Sequence, residues 1–287
     1  MIKTVNQLKA LIRNKAENNS GKAQLLIRNY AMERFLERIS LSDYKDNFIV
    51  KGGILVASLV GLDSRATMDI DTTVRNFPLD EENTRRIISE ISTIELEDNM
   101  RFELRSISSI MDEADYNGLR IMMDAYLERT RIPLKIDIST GDIITPRAIE
   151  YSFRLMFEDR SIDLWAYNLE TILAEKLETI ISRGALNTRM RDFYDLYILQ
   201  AECERMNPDI LRKALYLTSD KRNSLVAFKT GSEVLKTISM SDTMKSQWQS
   251  YRKKNEYVGE LEWDTIMDYI MAFYDKLFEE TADRRNS

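Results

Sequence analysis

Acidic residues at alternate positions give this sequence its clearest chemistry. Asp69 and Asp71 follow Arg65 and Thr67 at every second residue, and a glycine pair, Gly52-Gly53, lies a short way upstream. Side chains two apart on a β-strand point the same way. A strand here would set two carboxylates side by side with Thr67 in line, while Met68, Ile70 and Thr72 turn toward a core. Adjacent carboxylates raise each other's pKa unless a cation lies between them. Such a pair suits a divalent metal that holds a nucleoside triphosphate, and the reaction it points to is nucleotidyl transfer.

That reaction needs the triphosphate charge neutralised, the attacking hydroxyl activated and both aligned with the leaving pyrophosphate. Two metal ions about 3.5–4 Å apart achieve this when three carboxylates bracket them. Asp137 is the natural third acid. Leu134, Ile136 and Ile138 would face one side of a strand, with Lys135, Asp137 and Ser139 on the other. Such a third carboxylate can also accept the proton of the incoming hydroxyl. Gly52 and Gly53 would let backbone approach phosphate with no Cβ in the way, and the helix start after them offers N–H groups to an anion. Later, Lys176 within Ala174-Glu175-Lys176-Leu177 could bring a point charge to a γ-phosphate. The run Arg189-Met190-Arg191-Asp192-Phe193-Tyr194-Asp195-Leu196 gathers cations, carboxylates and a tyrosine. A helical ion pair between Arg191 and Asp195, spaced i, i+4, accounts for part of that pattern.

Composition narrows the alternatives. With no histidine, every Ser-His-Asp and Cys-His mechanism is excluded, and most zinc sites with them. Oxygen ligands favour a hard cation, magnesium or manganese. One cysteine, Cys203, excludes an internal disulfide framework, and its acidic neighbours Glu202 and Glu204 disfavour a reactive thiolate. The apolar runs are too short to span a bilayer, and the first residues lack a signal-peptide core, so a cytoplasmic location is the expectation. The net charge of −6 over 287 residues argues against indiscriminate nucleic-acid binding. Basic residues nevertheless outnumber acidic ones between Arg183 and Lys229, and Lys221-Arg222 and Arg252-Lys253-Lys254 are candidate RNA contacts.

Scarce glycine and proline, 9 and 4 residues, predict a largely helical chain. Helical periodicity runs from Val5 to Ser40, interrupted at Asn18-Asn19-Ser20-Gly21, with Ser20 as an N-cap. A strand at Phe48-Ile49-Val50, a Gly52-Gly53 turn and a helix from Ile54 to Val60 ending at Gly61 lead into the acidic strand. Arg65 would hold the loop after Gly61. A helix from Glu81 to Ser92 precedes strands at Phe102–Ile107, Ile121–Leu127 and Pro133–Ser139, with a turn at Asn117-Gly118. Beyond Asn168, an N-cap, the chain reads as helix. Tyr194 and the apolar face Ile266, Tyr269, Ile270, Phe273 and Leu277 read as packing. The fold class expected is α+β: a mixed sheet with flanking helices followed by a helical half.

Taken in order, Gly52-Gly53, Arg65-x-Thr67-x-Asp69-x-Asp71, Lys135-Ile136-Asp137-Ile138, Ala174-Glu175-Lys176-Leu177 and Arg191-Asp192-x-Tyr194-Asp195-Leu196 resemble the AbiEii/AbiGii toxin family of nucleotidyltransferases. That family is related to the MenT toxins within the DNA polymerase β-like superfamily. The motifs span residues 48 to 197. The chain departs from the family pattern at Gly53, often serine, and at Arg191, often lysine. The resemblance implies the toxin half of a bacterial toxin–antitoxin or abortive phage infection pair. Such an enzyme uses a nucleoside triphosphate and magnesium to modify the 3′ end of tRNA. It implies catalytic roles for Asp69, Asp71, Asp137, Lys176 and Asp192, with the three aspartates outside the helical half as metal ligands. Gly52, Gly53, Arg65, Thr67, Lys176 and Arg191 would contact the triphosphate. It also implies a cognate antitoxin; the short apolar runs leave no membrane partner expected, and a monomer is favoured while the sequence does not fix the oligomeric state. The expected layout is a helical segment at 1–46 packed on the core, a catalytic core at 47–150, and a helical domain at 151–287 contributing Lys176 and Asp192. The alternatives are a small-molecule (antibiotic) or protein hydroxyl as acceptor, or an inactive binding protein.

Overall fold

The alternation from Thr130 to Thr140 builds the strand on which the sheet is centred. Ile132, Leu134, Ile136 and Ile138 are buried on one face, and Arg131, Lys135, Asp137 and Ser139 lie on the other. The computed structural model describes residues 1–17, 19–111 and 117–283. The chain forms two compact units, Met1–Asp142 with Ala148–Tyr167, and Ile143–Arg147 with Asn168–Ser287.

In the first unit the elements run α1 (Val5–Ala16), α2 (Ser20–Leu41), β1 (Phe48–Lys51), α3 (Gly52–Val60), β2 (Asp69–Val74) and α4 (Glu81–Ser92). Five strands follow: β3 (Met100–Met111), β4 (Asn117–Leu127), β5 (Thr130–Thr140), β6 (Ile149–Arg154) and β7 (Ser161–Ala166). They form one seven-stranded mixed sheet in the order β3-β4-β5-β2-β1-β7-β6. The pairs β2–β5 and β1–β7 are parallel, and the others antiparallel. This is the α+β architecture expected.

Helices α2 and α4 cover the apolar face. Tyr30, Phe35, Leu36 and Ile39 of α2 and Ile87, Ile88 and Ile91 of α4 are all buried there. Helix α2 also buries charge, which is tolerated only when paired. Arg38 holds the fully buried Asp98 through both guanidinium ends at 2.8 and 2.9 Å, and Arg160 clamps Glu37 at 2.6 and 3.1 Å. Glu33 receives the Met156 N–H on both oxygens at 3.1 Å. Burial pushes its carboxyl up to about 8.

Several local readings need correction. Gly52 and Gly53 are the first residues of α3 and not a turn wholly ahead of it, although Gly52 at φ +65° still makes the bend out of β1. Asn19, not Ser20, caps α2, accepting the Lys22 N–H at 2.9 Å; Asn18 lies outside the described residues. Asn117 and Gly118 belong to β4, paired with Met111 and Ile110, while residues 112–116 lie outside the description. Met68 precedes β2 and is exposed at 49% rather than buried. Beyond Ser139, two further strands, β6 and β7, join the sheet; Ile149, Tyr151 and Phe153, then Ile162, Leu164 and Ala166, recur at the strand period in them.

The second unit is helical: α5 (Leu169–Arg183), α6 (Met190–Ile198), α7 (Pro208–Lys221), α8 (Leu225–Lys229), α9 (Gly231–Met240), α10 (Asp242–Lys254) and α11 (Trp263–Asp283). Asn168 caps α5, accepting the Thr171 N–H at 2.9 Å. Leu173 and Leu177, Phe193 and Leu196, Leu211 and Leu215, Trp248, Ile266 and Ile270 make its core. Among the described residues no helix is long and apolar enough to cross a membrane.

Candidate active site

Strand register, rather than sequence proximity, assembles the acidic group. Asp71 of β2 lies opposite Asp137 of β5 and opposite Lys51 of β1, and Asp137 lies opposite Arg120 of β4. Laterally paired residues project on the same face of a sheet. Arg120, Asp137, Asp71 and Lys51 therefore form one row across four strands, with two acids flanked by two bases. Asp69 stands in the neighbouring row, opposite Lys135.

The bases engage the acids directly. Arg120 donates Nε and Nη2 to the two oxygens of Asp137 at 2.9 and 2.8 Å. Lys135 Nζ lies 2.7 Å from Asp69 and 3.8 Å from Asp137. Asp71 differs. One of its oxygens accepts the Gly53 N–H at 3.3 Å. Burial raises its carboxyl above the ordinary range; Gly53 and Lys51 oppose that rise, and Asp137 and Asp69 add to it.

Gly52 adopts φ +65°, and a Cβ there would overlap the Asp71 carboxylate. A Cβ on Gly53 would stand 2.9 Å from Thr67 Oγ1 and 3.3 Å from Arg65 Nη2. The glycines are thus required by the acids and the loop they pack against. Arg65 is fully buried, with Nη1 bonded to the Ala66 carbonyl, and Asn29 ties the same loop to α2 through the Thr67 carbonyl at 3.1 Å. Lys51 Nζ reaches Asp142 at 2.5 Å and Ser139 at 2.7 Å. Asp142 also accepts from Tyr167 at 2.7 Å and Ser139 at 2.8 Å. Burial opposes ionisation of Asp142, but Lys51, Tyr167 and Ser139 outweigh it and hold that carboxyl below its usual range.

The donor set suits a hard divalent cation. Asp69, Asp71 and Asp137 offer oxygen only, and the Lys135 ammonium already bridges toward two of them as a stand-in for positive charge. Among the described residues, no three His, Cys, Asp or Glu side chains are drawn into a metal-holding cluster. The three acids instead share one face in adjacent rows, two of them held by protein bases.

In the helical unit, Lys176 of α5 lies between two buried carboxylates of α6, 2.5 Å from Asp195 and 3.2 Å from Asp192. Arg189 approaches the other Asp192 oxygen at 3.1 Å. Lys176 is itself buried, not solvent-facing as its glutamate neighbours suggest. Arg191 is exposed, while Asp195 is wholly buried and meets Lys176. The i, i+4 pairing read from the sequence is thus not the contact that engages the Asp195 Oδ2.

Residues 34–269 match the family described as nucleotidyl transferase AbiEii toxin, type IV toxin–antitoxin system. The chain belongs to the AbiEii family. Its fold is similar to that of JHP933 from Helicobacter pylori, at 15% identity and a TM-score of 0.55, over 92% of this chain and 95% of that one. A candidate nucleotidyltransferase from H. pylori gives 15% identity and 0.53, over 91% and 97%. At that identity the likeness concerns the fold alone. No curated protein matches the chain in sequence.

As an AbiEii-family nucleotidyltransferase of a toxin–antitoxin system, the chain carries residues that its motifs did not single out. Lys51, Arg120, Asp142 and the buried partner role of Asp195 emerge only from the structure. Lys51 had one sequence signal, its place immediately before the glycines. Arg120 had none, since its partner lies across a strand pair.

Proposed function

We propose that this AbiEii-family chain transfers nucleotides from a nucleoside triphosphate to an RNA acceptor, the 3′ end of tRNA, and thereby blocks translation and growth. The observation that carries the reading is the Asp71–Asp137 pair, set side by side on parallel strands next to Asp69 and the glycine turn of α3. Asp69, Asp71 and Asp137 would hold magnesium or manganese, which when bound neutralises the triphosphate and polarises the attacking hydroxyl. Gly52 and Gly53 bring backbone to the phosphates without side chains. Arg65 and Thr67 fix the loop that carries Asp69. Asp137 accepts the proton of the incoming hydroxyl once Arg120 no longer covers both its oxygens. Lys176 and Arg191 enter this reading through their family positions as triphosphate contacts, and Asp192 as the acid of the last motif, which orients Lys176. A cognate antitoxin, a cytoplasmic setting and a monomeric enzyme complete it.

The test is incubation of the purified protein with total tRNA, magnesium and each labelled triphosphate, followed by 3′-end sequencing, with Asp71→Ala as control. Label on tRNA that disappears in the control supports the reading. Label only on a small molecule or a protein hydroxyl, or no triphosphate consumed, overturns it.

A further inference from the structure

The face that carries the aspartates continues outward over β3, β4 and β5. Register sets Arg101 opposite Tyr126, Tyr126 opposite Arg131, and Glu103 opposite Asp124. The Asp124 side chain is 2% exposed, whereas those of Arg105 and Arg131 above it are 47% and 62% exposed. Both arginines turn Nε down to Asp124, Arg131 at 2.8 Å. Burial opposes the Asp124 charge, but Arg131 and Arg105 hold its carboxyl below the ordinary range. A buried anion thus fixes the two guanidinium groups in advance, which lowers the ordering cost of any contact they make outward. Arg101 lies over the Tyr126 ring at 4.5 Å and is 61% exposed. Met122, in the row of Lys135, is exposed at 38%. Glu103, paired with Arg101 and Arg105, is an acid of this outer strip that reaches solvent.

Asp124 sits four residues along β4 from Arg120, about 14 Å at the rise of a strand. A ligand that seats anionic groups on Arg105 and Arg131 and also reaches the Asp71–Asp137 pair must be extended. Guanidinium forks suit phosphate. The flat Arg101–Tyr126 stack and the apolar Met122 suit unpaired bases, which an acidic peptide does not offer. Resting on the reading that the acceptor is RNA, we propose that this strip docks the single-stranded end of the acceptor. Its phosphates seat on Arg105 and Arg131, a base on the Arg101–Tyr126 stack, and its 3′ hydroxyl lies toward Asp71 and Asp137.

The test combines Arg101→Gln, Arg105→Gln and Arg131→Gln with Asp124→Asn, so that no buried carboxylate is stranded. Arg131→Glu alone is the second variant should the first not fold. Fluorescence anisotropy with a short labelled single-stranded RNA reads binding without reference to catalysis. The dissociation constant should rise about tenfold or more, and the salt slope should fall by about 1.4 for two lost phosphate contacts. Binding of a labelled triphosphate should not change. RNA bound as tightly and with the same slope overturns the strip, as does a loss confined to poly-glutamate. Wild-type protein that binds RNA through these arginines but labels only a small molecule upholds the strip and sinks the RNA-transfer reading. Equal tRNA labelling by wild type and variant does the reverse.

Discussion

Arg120 grips Asp137 with two parallel hydrogen bonds from its guanidinium, Nε at 2.9 Å and Nη2 at 2.8 Å. The pair is a fork-to-fork contact of the strong kind, and it covers both oxygens of an acid proposed to bind metal. Any cation arriving at Asp137 must displace a base that is already there. Arg120→Ala should therefore bind manganese more tightly than wild type, by about three- to tenfold. Manganese electron paramagnetic resonance on the protein without nucleotide reads this directly. Equal or weaker affinity in the variant would show that the guanidinium does not compete.

Asp71 carries a raised pKa, so the folded protein holds this proton more tightly than the unfolded chain. Stability from the group is present below the unfolded carboxylate pKa of about 4 and declines as pH rises through the folded value. Asp71→Asn removes the penalty. In metal-free buffer at neutral pH the variant should melt a few degrees above wild type while losing transfer altogether. A lower melting temperature would mean the carboxylate is stabilising as an ion.

Glu33 gives the same sign over a wider window. With its carboxyl up at about 8, the wild type should lose stability relative to Glu33→Gln as pH climbs from about 4.3 to 8. The difference should reach the order of a few kcal/mol and then level off. Thermal or urea unfolding of both proteins across that range checks it. A difference independent of pH would remove the titration account.

At Gly52, φ of +65° and the Asp71 carboxylate both exclude a side chain. Gly52→Ala should cost about 1–3 kcal/mol in unfolding free energy and abolish transfer by moving Asp71. Gly61→Ala provides the control. It is also at positive φ but has open space around it, so it should be destabilised yet keep its transfer activity.

In the helical unit, Asp195→Ala should cost about 3–5 kcal/mol, because it strips a partner from the buried Lys176. Arg191→Ala, at an exposed position, should stay within about 0.5 kcal/mol of wild type. Urea denaturation of the two variants separates buried from surface charge on the same short helix.

The sequence announced what depends on period and punctuation. The strand bearing Asp69 and Asp71, the polar side of β5 with Asp137, the Asn168 cap and the α4 limits all follow from residues close in the chain. What it hid depends on register. Nothing local says that Arg120 faces Asp137, that Lys51 meets Asp142, or that Lys176 reaches Asp195. Met68 misled because strict alternation was extended beyond the true start of β2. At the glycine pair both readings hold, since Gly52 bends the chain at positive φ and the same two residues open α3. Strands β6 and β7 were legible as well, since Ile149, Tyr151 and Phe153 and then Ile162, Leu164 and Ala166 keep the strand period.

The parallel pairing of β2 with β5 has a consequence for how this protein is made. Its two facing acids are separated by a helix and an antiparallel hairpin, so their contact is far from local and is slow to close. During synthesis, a nascent chain that has not yet released Thr140 from the ribosome has no Asp71–Asp137 neighbourhood. The carboxylate pair therefore comes together only after α4, β3 and β4 have been made and β5 has joined the sheet, so a chain that stops short of β5 carries Asp71 without its neighbour.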